Sequence, residues 1–299
     1  MDDATRPMCI GVVAPFSTEE SIVAGPLLAA VEDVVAASGR PVRVVARDDG
    51  RDPERAAAAV AEIVSEPACV GIVGPKNSGS ALAAVPVAVA SGVPLLLPCA
   101  TADALTGEAG VVFRMCAPDR LTAEATVRLV VELGVDRLAV VADDTAYGQG
   151  LALQLREAAS GSQLDVVDHT GGAGAVFLAM GEVEQAAVMR ELRDAGYGGE
   201  LISAEGGPDA PIAALAGSAA EGAWLLYPGA PVAGRSVYAA EAADAARVLL
   251  AVGFGGAAAI RAGSFEGETG GIRFDAAGER AGAIVSRYRV RDGGAVLVS

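Results

Sequence analysis

Two hydroxyls, an amide and an amine crowd into "GPKNSGS", residues 74–80, between the apolar run "CVGIVG" and the Ala/Val-rich "ALAAVPVAVASG". A strand that delivers such a turn into a helix gathers backbone N–H groups and side-chain donors at a helix N-terminus, where anions are favoured. A second stretch, "PCATADALTG" at 98–107, follows the next apolar run and carries Thr101. Ser78 and Thr101 then sit at the carboxyl ends of two neighbouring predicted strands. Such a pair suits a carboxylate; taken singly, each hydroxyl reads equally as a helix cap. Further on, Tyr147 in "DDTAYGQG" and Glu205 in "SAEGG" also lie at strand ends. Glu205 precedes two glycines and a proline, a sharp exit from its strand. A carboxylate on one side and an anion-binding edge on the other suit a zwitterion such as an α-amino acid.

Other chemistries find little footing. A phosphate-binding P-loop needs its lysine directly before Ser or Thr after a glycine-bounded spacer, whereas Lys76 precedes Asn77. "GVVAPFSTEE" after the first strand lacks the G-x-G-x-x-G of a dinucleotide site. His169 is the only histidine, so no Ser–His–Asp or Cys–His set can form. The "DD" pairs at 48–49 and 143–144 read as caps of the helices that follow them. Cysteines 9, 69, 99 and 116 match no zinc spacing. They read as small buried apolar residues, with Cys9–Cys69 and Cys99–Cys116 the pairings that position would allow. No catalytic residue, metal or cofactor is expected. A net charge of −16 would repel nucleic acid. Apolar runs fall short of the roughly 20 residues that cross a bilayer. "MDDATRPM" lacks the basic and apolar regions of a secretion signal, which fits a cytoplasmic protein or a mature chain without its leader. Lys76 is the only lysine. Its charge either lies in water or meets an acidic group of a ligand or of a second lobe.

These groups have to be placed by an alternation of strands and helices. "MCIGVVAP", "PVRVVARDD", "CVGIVG", "VPLLLP" and "VVFRM" read as strands, with helices at 21–39, 52–66 and 80–91. Asp52 caps the second helix and Pro53 opens it. Helix 119–133, strand "RLAVVAD", helix 146–159, "LDVVDHT", "AVFLAM", helix 183–195, "ELISAE", a short helix near 209–216 and "GAWLLYP" repeat the pattern. A long helix and ribbon strands follow residue 228. Continuous apolar strands separated by helices imply parallel sheets covered on both faces. The expected fold is therefore α/β: two doubly wound lobes, 1–118 with 231–279 and 119–230 with 280–299, joined by a three-strand hinge. Ligands of such sheets bind at the strands' carboxyl ends, hence in a cleft between the lobes.

The order of these phrases resembles the type I periplasmic binding proteins, in particular the leucine/isoleucine/valine-binding branch that serves ABC importers. The resemblance runs through "IGVVAPFS", "ARDDGRDPERAAAAVAEIV", "GIVGPKNSGS", "PLLLPCATADALT", "VFRMCAPD", "RLAVVADDTAYGQGLA", "SAEGGPDAPIAALAGSAAEGAW" and "GGIRFDAAGE". It implies that Ser78 and Thr101, with Ala100 beside them, hold a ligand α-carboxylate. The Cys99 carbonyl takes the ammonium group, and Tyr147, Glu205 and Gly206 complete the site. It implies a non-enzymatic, extracytoplasmic binding protein that closes on an amino acid and hands it to a membrane permease. A receptor or regulatory domain of the same fold, fused to a signalling domain or cytoplasmic, is the alternative, and a nucleotide-dependent enzyme a more remote one. The loop after the first strand is short, leaving Phe16 as its aromatic. Gly181 stands where the family carries an aromatic, and Lys76 and Asn77 where aliphatic-ligand binders are often apolar. The ligand's side chain stays open, with a polar or larger one compatible.

Overall fold

A computed structural model describes residues 7–107, 110–207, 209 and 211–298. The chain divides into two compact units, Met1–Cys116 with Tyr238–Ala283 and Ala117–Val237 with Ile284–Ser299, so it passes between them three times.

The first unit opens with β1 (Met8–Ala14), α1 (Ser21–Ala37), β2 (Val42–Asp48), α2 (Pro53–Val64), β3 (Cys69–Val73), α3 (Ser78–Ser91), β4 (Leu95–Leu97) and β5 (Val112–Arg114). Its sheet is wholly parallel, in the order β2-β1-β3-β4-β5. Every residue of β1 is buried, as strands covered on both faces require. Asp52 caps α2 by accepting the Arg55 N–H at 2.8 Å, with Pro53 at the first helical position. The helix expected at 80–91 begins at Ser78 instead.

The second unit repeats the plan with α4 (Asp119–Glu132), β6 (Arg137–Ala142), α5 (Ala146–Ala159), β7 (Asp165–Val167), β8 (Ala175–Ala179), α6 (Glu182–Asp194), β9 (Glu200–Ser203), α7 (Pro211–Ala216) and β10 (Trp224–Tyr227). Its parallel strands run β7-β6-β8-β9-β10, the same doubly wound order as in the first unit. The chain then returns to the first unit as α8 (Ala239–Val252), α9 (Gly256–Ala262) and the hairpin β11 (Phe265–Gly267) and β12 (Gly270–Ile272). It ends on the second sheet as β13 (Ser286–Arg291), antiparallel to β10, and β14 (Gly294–Leu297). Sequence patterning had not distinguished α9 or β11. The α8–α9 run, 239–262, is long and apolar enough to cross a membrane by composition, contrary to the expectation of no such run. Here α8 is a core helix, packed on α1 and almost wholly buried.

The cysteines follow the expectation of small buried residues: all four are thiols, Cys9, Cys99 and Cys116 buried and Cys69 half-buried, and neither pairing that position would allow is formed. Cys9 and Cys69 are register partners on β1 and β3. Burial pushes the Cys69 thiol up to about 11, which keeps it protonated and inert. The "DD" pairs are not helix caps either. Asp48 takes the Ser17 N–H and hydroxyl and the Gly50 N–H. Asp143 takes the Thr145 N–H and hydroxyl, and Thr145 itself caps α5.

Gly74 brings the chain from β3 toward α3 at φ +98°, and a Cβ there would lie 2.1 Å from the Val13 carbonyl oxygen. No L side chain fits both constraints. Gly74→Ala is expected to cost about 1–3 kcal/mol from backbone strain alone, with the overlap added, read as a lower urea midpoint at unchanged m-value.

Candidate ligand-binding site

In the first unit the βα loops gather the expected anion-binding groups. Ser78 is the first residue of α3, and its Oγ accepts the Ala102 N–H at 3.3 Å. The segment carrying Ser78 and the segment carrying Thr101 are thereby tied together, which independent capping would not require. Asn77 holds the N-cap position and makes no side-chain cap bond. Cys99, Ala100 and Thr101 are all buried. Phe16 is half-buried in the loop after β1.

Lys76 departs from both expectations for it. It is only 4% exposed, and its Nζ lies 3.0 Å from Glu20 Oε2 within the same unit. Glu20 also accepts from Asn77 Nδ2 at 2.9 Å and pairs with Arg51 Nε at 3.1 Å. A buried ammonium needs such a partner. Burial pushes the Glu20 carboxyl up. The Lys76 and Arg51 charges and the Asn77 hydrogen bond outweigh it and hold the group below its ordinary value. Asp49, fully buried beside this cluster, goes the other way. Burial raises it to about 6, with the Asp48 and Glu20 charges adding to the rise against the Arg51 N–H bond.

In the second unit, Tyr147 lies in the first turn of α5 and Glu205 just beyond β9. The Glu205 carboxylate acts electrostatically on the tyrosine hydroxyl. Burial, then the charges of Glu205, Asp119 and Glu182, raise the phenol well above its ordinary value, so it stays a neutral donor. Ser203 Oγ accepts the Glu205 N–H at 3.2 Å and donates back to the Glu205 carbonyl, fixing the exit from β9. Gly206 follows at φ +152°, where a Cβ would come within 2.8 Å of Leu225 Cβ. The structure thus brings Ser78 and Thr101 together in one unit, and Tyr147 and Glu205 together in the other.

Asp119 and Glu182 join the second set unforeseen. Each opens a helix, α4 and α6, and each is 2% exposed. An acid in a helix's first turn is ordinary sequence, so nothing local separates these two from solvated ones. His169 is exposed. Among the described residues no group of three or more His, Cys, Asp or Glu is placed to hold a metal.

Residues 7–171 match the periplasmic binding protein family model, more than half of the chain, and the chain belongs to that family. The leucine-, isoleucine-, valine-, threonine-, and alanine-binding protein of Pseudomonas aeruginosa is 25% identical over 240 residues, covering 73% of this chain and 64% of that protein. The chain therefore matches a little under two thirds of that relative's length. Among solved structures, the leucine binding protein LivK from Thermotoga maritima has a TM-score of 0.85 at 23% identity, with 98% of each chain covered. An ABC transporter solute binding protein from R. palustris, solved with benzoate, has a TM-score of 0.84 at 17% identity over 98% of this chain and 96% of that one. These likenesses show the fold: two lobes of the type I periplasmic binding protein class.

The buried Asp49 carboxyl yields a signed pH dependence. Its folded value of about 6 lies above the ordinary 3.8. Between the two, the folded state keeps a proton that the unfolded state has lost, so stability falls as pH rises through that window. The full penalty, about 3 kcal/mol, is in place at neutral pH. Asp49→Asn should therefore raise the melting temperature near pH 7.5 and leave it almost unchanged near pH 4. Thermal melts at the two pH values check this; equal gains at both would remove Asp49 as the source.

Proposed function

We propose that the chain is a non-catalytic solute-binding protein that captures an α-amino acid or a similar small zwitterion by hinge closure. The observation that carries the reading is the chemical opposition of the two polar sets. The first unit offers hydroxyl and amide donors at Ser78, Ala100 and Thr101, suited to a carboxylate. The second offers Glu205 and the neutral Tyr147 hydroxyl among further carboxylates, suited to an ammonium group. Each set stands at the carboxyl ends of its unit's parallel strands, where ligands of doubly wound sheets bind. The relatives' names support the same class. LivK is described as a leucine binding protein, and the Pseudomonas protein as one for leucine, isoleucine, valine, threonine and alanine. Benzoate, the ligand of the R. palustris protein, has a carboxylate but no amine. Such a ligand would leave Glu205 without a role, so the zwitterion is preferred.

In this reading the Cys99 carbonyl and Glu205 take the ammonium group, Gly206 gives the Glu205 loop its turn, and Phe16, Lys76 and Asn77 border the ligand side chain. The Lys76–Glu20 pair makes that border polar yet internally neutralised. The protein works outside the cytoplasm and delivers its ligand to the permease of an ABC importer.

A panel of the twenty amino acids, scored by thermal shift, identifies the ligand, because bound ligand raises the melting temperature by mass action. Glu205→Gln should then weaken the best ligand roughly a hundredfold, the loss of about 3 kcal/mol that follows removing one partner of a buried charge pair. The matching amino-acid amide should bind the wild type poorly, since each hydrogen bond to a charged group is worth about 1.5–3 kcal/mol. Calorimetry reads both. Undiminished binding by Glu205→Gln would favour an amine-free ligand, and an amide that binds as well as the acid would remove Ser78 and Thr101 from carboxylate recognition.

A further inference from the structure

Arg114 ends β5 and is completely buried. Its Nη1 donates to the Ala100 carbonyl and its Nη2 to the Ala102 carbonyl, each at 2.8 Å, with Thr106 Oγ1 at 3.4 Å from Nη2. Its Nε faces both oxygens of Glu279, at 3.3 and 3.1 Å. The Thr106 hydroxyl donates to the same carboxylate. Glu279 is held in turn. Asp275 Oδ1 accepts its N–H at 2.9 Å, and the Arg114 N–H donates to the neighbouring Gly278 carbonyl at 2.9 Å. The guanidinium thus grips the two carbonyls that flank Thr101, and a carboxylate from a distant stretch of the same unit braces it. Only a planar fork of donors can serve all of these acceptors at once.

The consequence follows from peptide geometry. In a planar trans peptide the C=O and N–H point opposite ways. An Ala100 carbonyl turned onto Arg114 sends the Thr101 N–H in the other direction, and the Ala102 carbonyl does the same for the Asp103 N–H. A cation on the carbonyl also polarises the whole peptide unit and strengthens its donor. The intervening Ala102 N–H is spent on Ser78 Oγ. With its oxygen accepting that bond, the Ser78 hydroxyl has its own proton to give elsewhere.

We infer that Arg114, braced by Glu279, is a positioning residue that presets the Thr101 amide and the Ser78 hydroxyl as donors for a ligand carboxylate. The inference rests on the amino-acid reading above for the identity of that carboxylate, but the setting of the loop is a property of the ligand-free chain.

Two variants test it: Arg114→Lys, which keeps the charge and loses the fork, and Glu279→Gln, which keeps an acceptor for Nε and loses the opposing charge. The first measurement is ligand-free, by NMR of the Thr101 and Asp103 amides. In Arg114→Lys both resonances should move upfield and both amides exchange faster. In Glu279→Gln they should stay near their wild-type positions or move downfield. The second is calorimetry with L-leucine and L-leucinamide. A merely structural arginine would lower the affinity of both probes together. Positioning predicts that the preference for the acid over the amide shrinks at least about tenfold in Arg114→Lys and is retained in Glu279→Gln. Amides that do not move in Arg114→Lys overturn the inference, as does an acid-over-amide preference that survives the loss of the fork. If Arg114→Lys does not fold, Arg114→Gln, which keeps amide donors and loses the charge and the fork, takes its place with the same expected directions. If the amides move as expected but the wild type binds neither probe nor any other amino acid, the proposed function falls and the setting of the loop stands.

Discussion

The direction of the strands is the constraint from which the site descends. A parallel strand can be reached only by a crossover, and right-handed crossovers lay helices on both faces of the sheet. The loops that leave the strands' carboxyl ends therefore collect along one edge. Both units obey this with the same strand order, β2-β1-β3-β4-β5 and β7-β6-β8-β9-β10. Residues as far apart in sequence as Ser78 and Ala102 become hydrogen-bonded neighbours in one unit. Tyr147 and Glu205 come within electrostatic reach of each other in the other. The same edge receives the N-termini of the helices, so Asp119 and Glu182 arrive there as the opening residues of α4 and α6.

Buried charge is distributed differently in the two units. In the first, Glu20 is matched by Lys76 and Arg51, and Arg114 by Glu279. Buried pairs of this kind seldom add net stability over a well-packed apolar replacement. Their place beside the loops that leave the strands' carboxyl ends fits a role in shaping a surface. In the second unit, burial and then the charges of three carboxylates raise one phenol. Strong perturbation by burial and specific charges clusters where proteins meet ligands. An ammonium group brought among those carboxylates would be stabilised by all of them at once.

Much of this was legible in the sequence because it was local. The alternation of apolar runs with helical periods gave the doubly wound class, and Asp52 before Pro53 gave the start of α2. The placement of Ser78, Thr101, Tyr147 and Glu205 at strand ends was legible because a strand end is visible as the place where an apolar run stops. What escaped was non-local. Lys76 looked like a solvated or ligand-facing charge because its partner, Glu20, belongs to the loop after a different strand. The aspartate pairs looked like caps because cap residues are acidic and precede helices. Ser17, the partner of Asp48, comes from the loop after another strand, whereas Asp143 spends its oxygen two residues on, on the Thr145 N–H and hydroxyl, and leaves the capping of α5 to Thr145. Arg114 was read only as the end of a strand, since neither the carbonyls it grips nor Glu279 can be found by periodicity.

Arg114 also shows why a hydroxyl count understates a binding edge. Serine and threonine side chains can rotate, and a loop of small residues such as 99–102 has many conformations to lose. A fully buried guanidinium that takes two carbonyls of that loop removes the freedom before any ligand arrives. The ordering cost then falls on folding, and binding is spared it. Covalent planarity carries the effect from the carbonyl side of each peptide to its N–H side, so a residue with no exposed surface can act on the face opposite to its own. The hydrogen bond from Ala102 to Ser78 extends the same restraint to the first turn of α3. One buried cation thereby sets the orientation of donors on two separate elements, and the neutral groups at the edge inherit part of its field without exposing its charge.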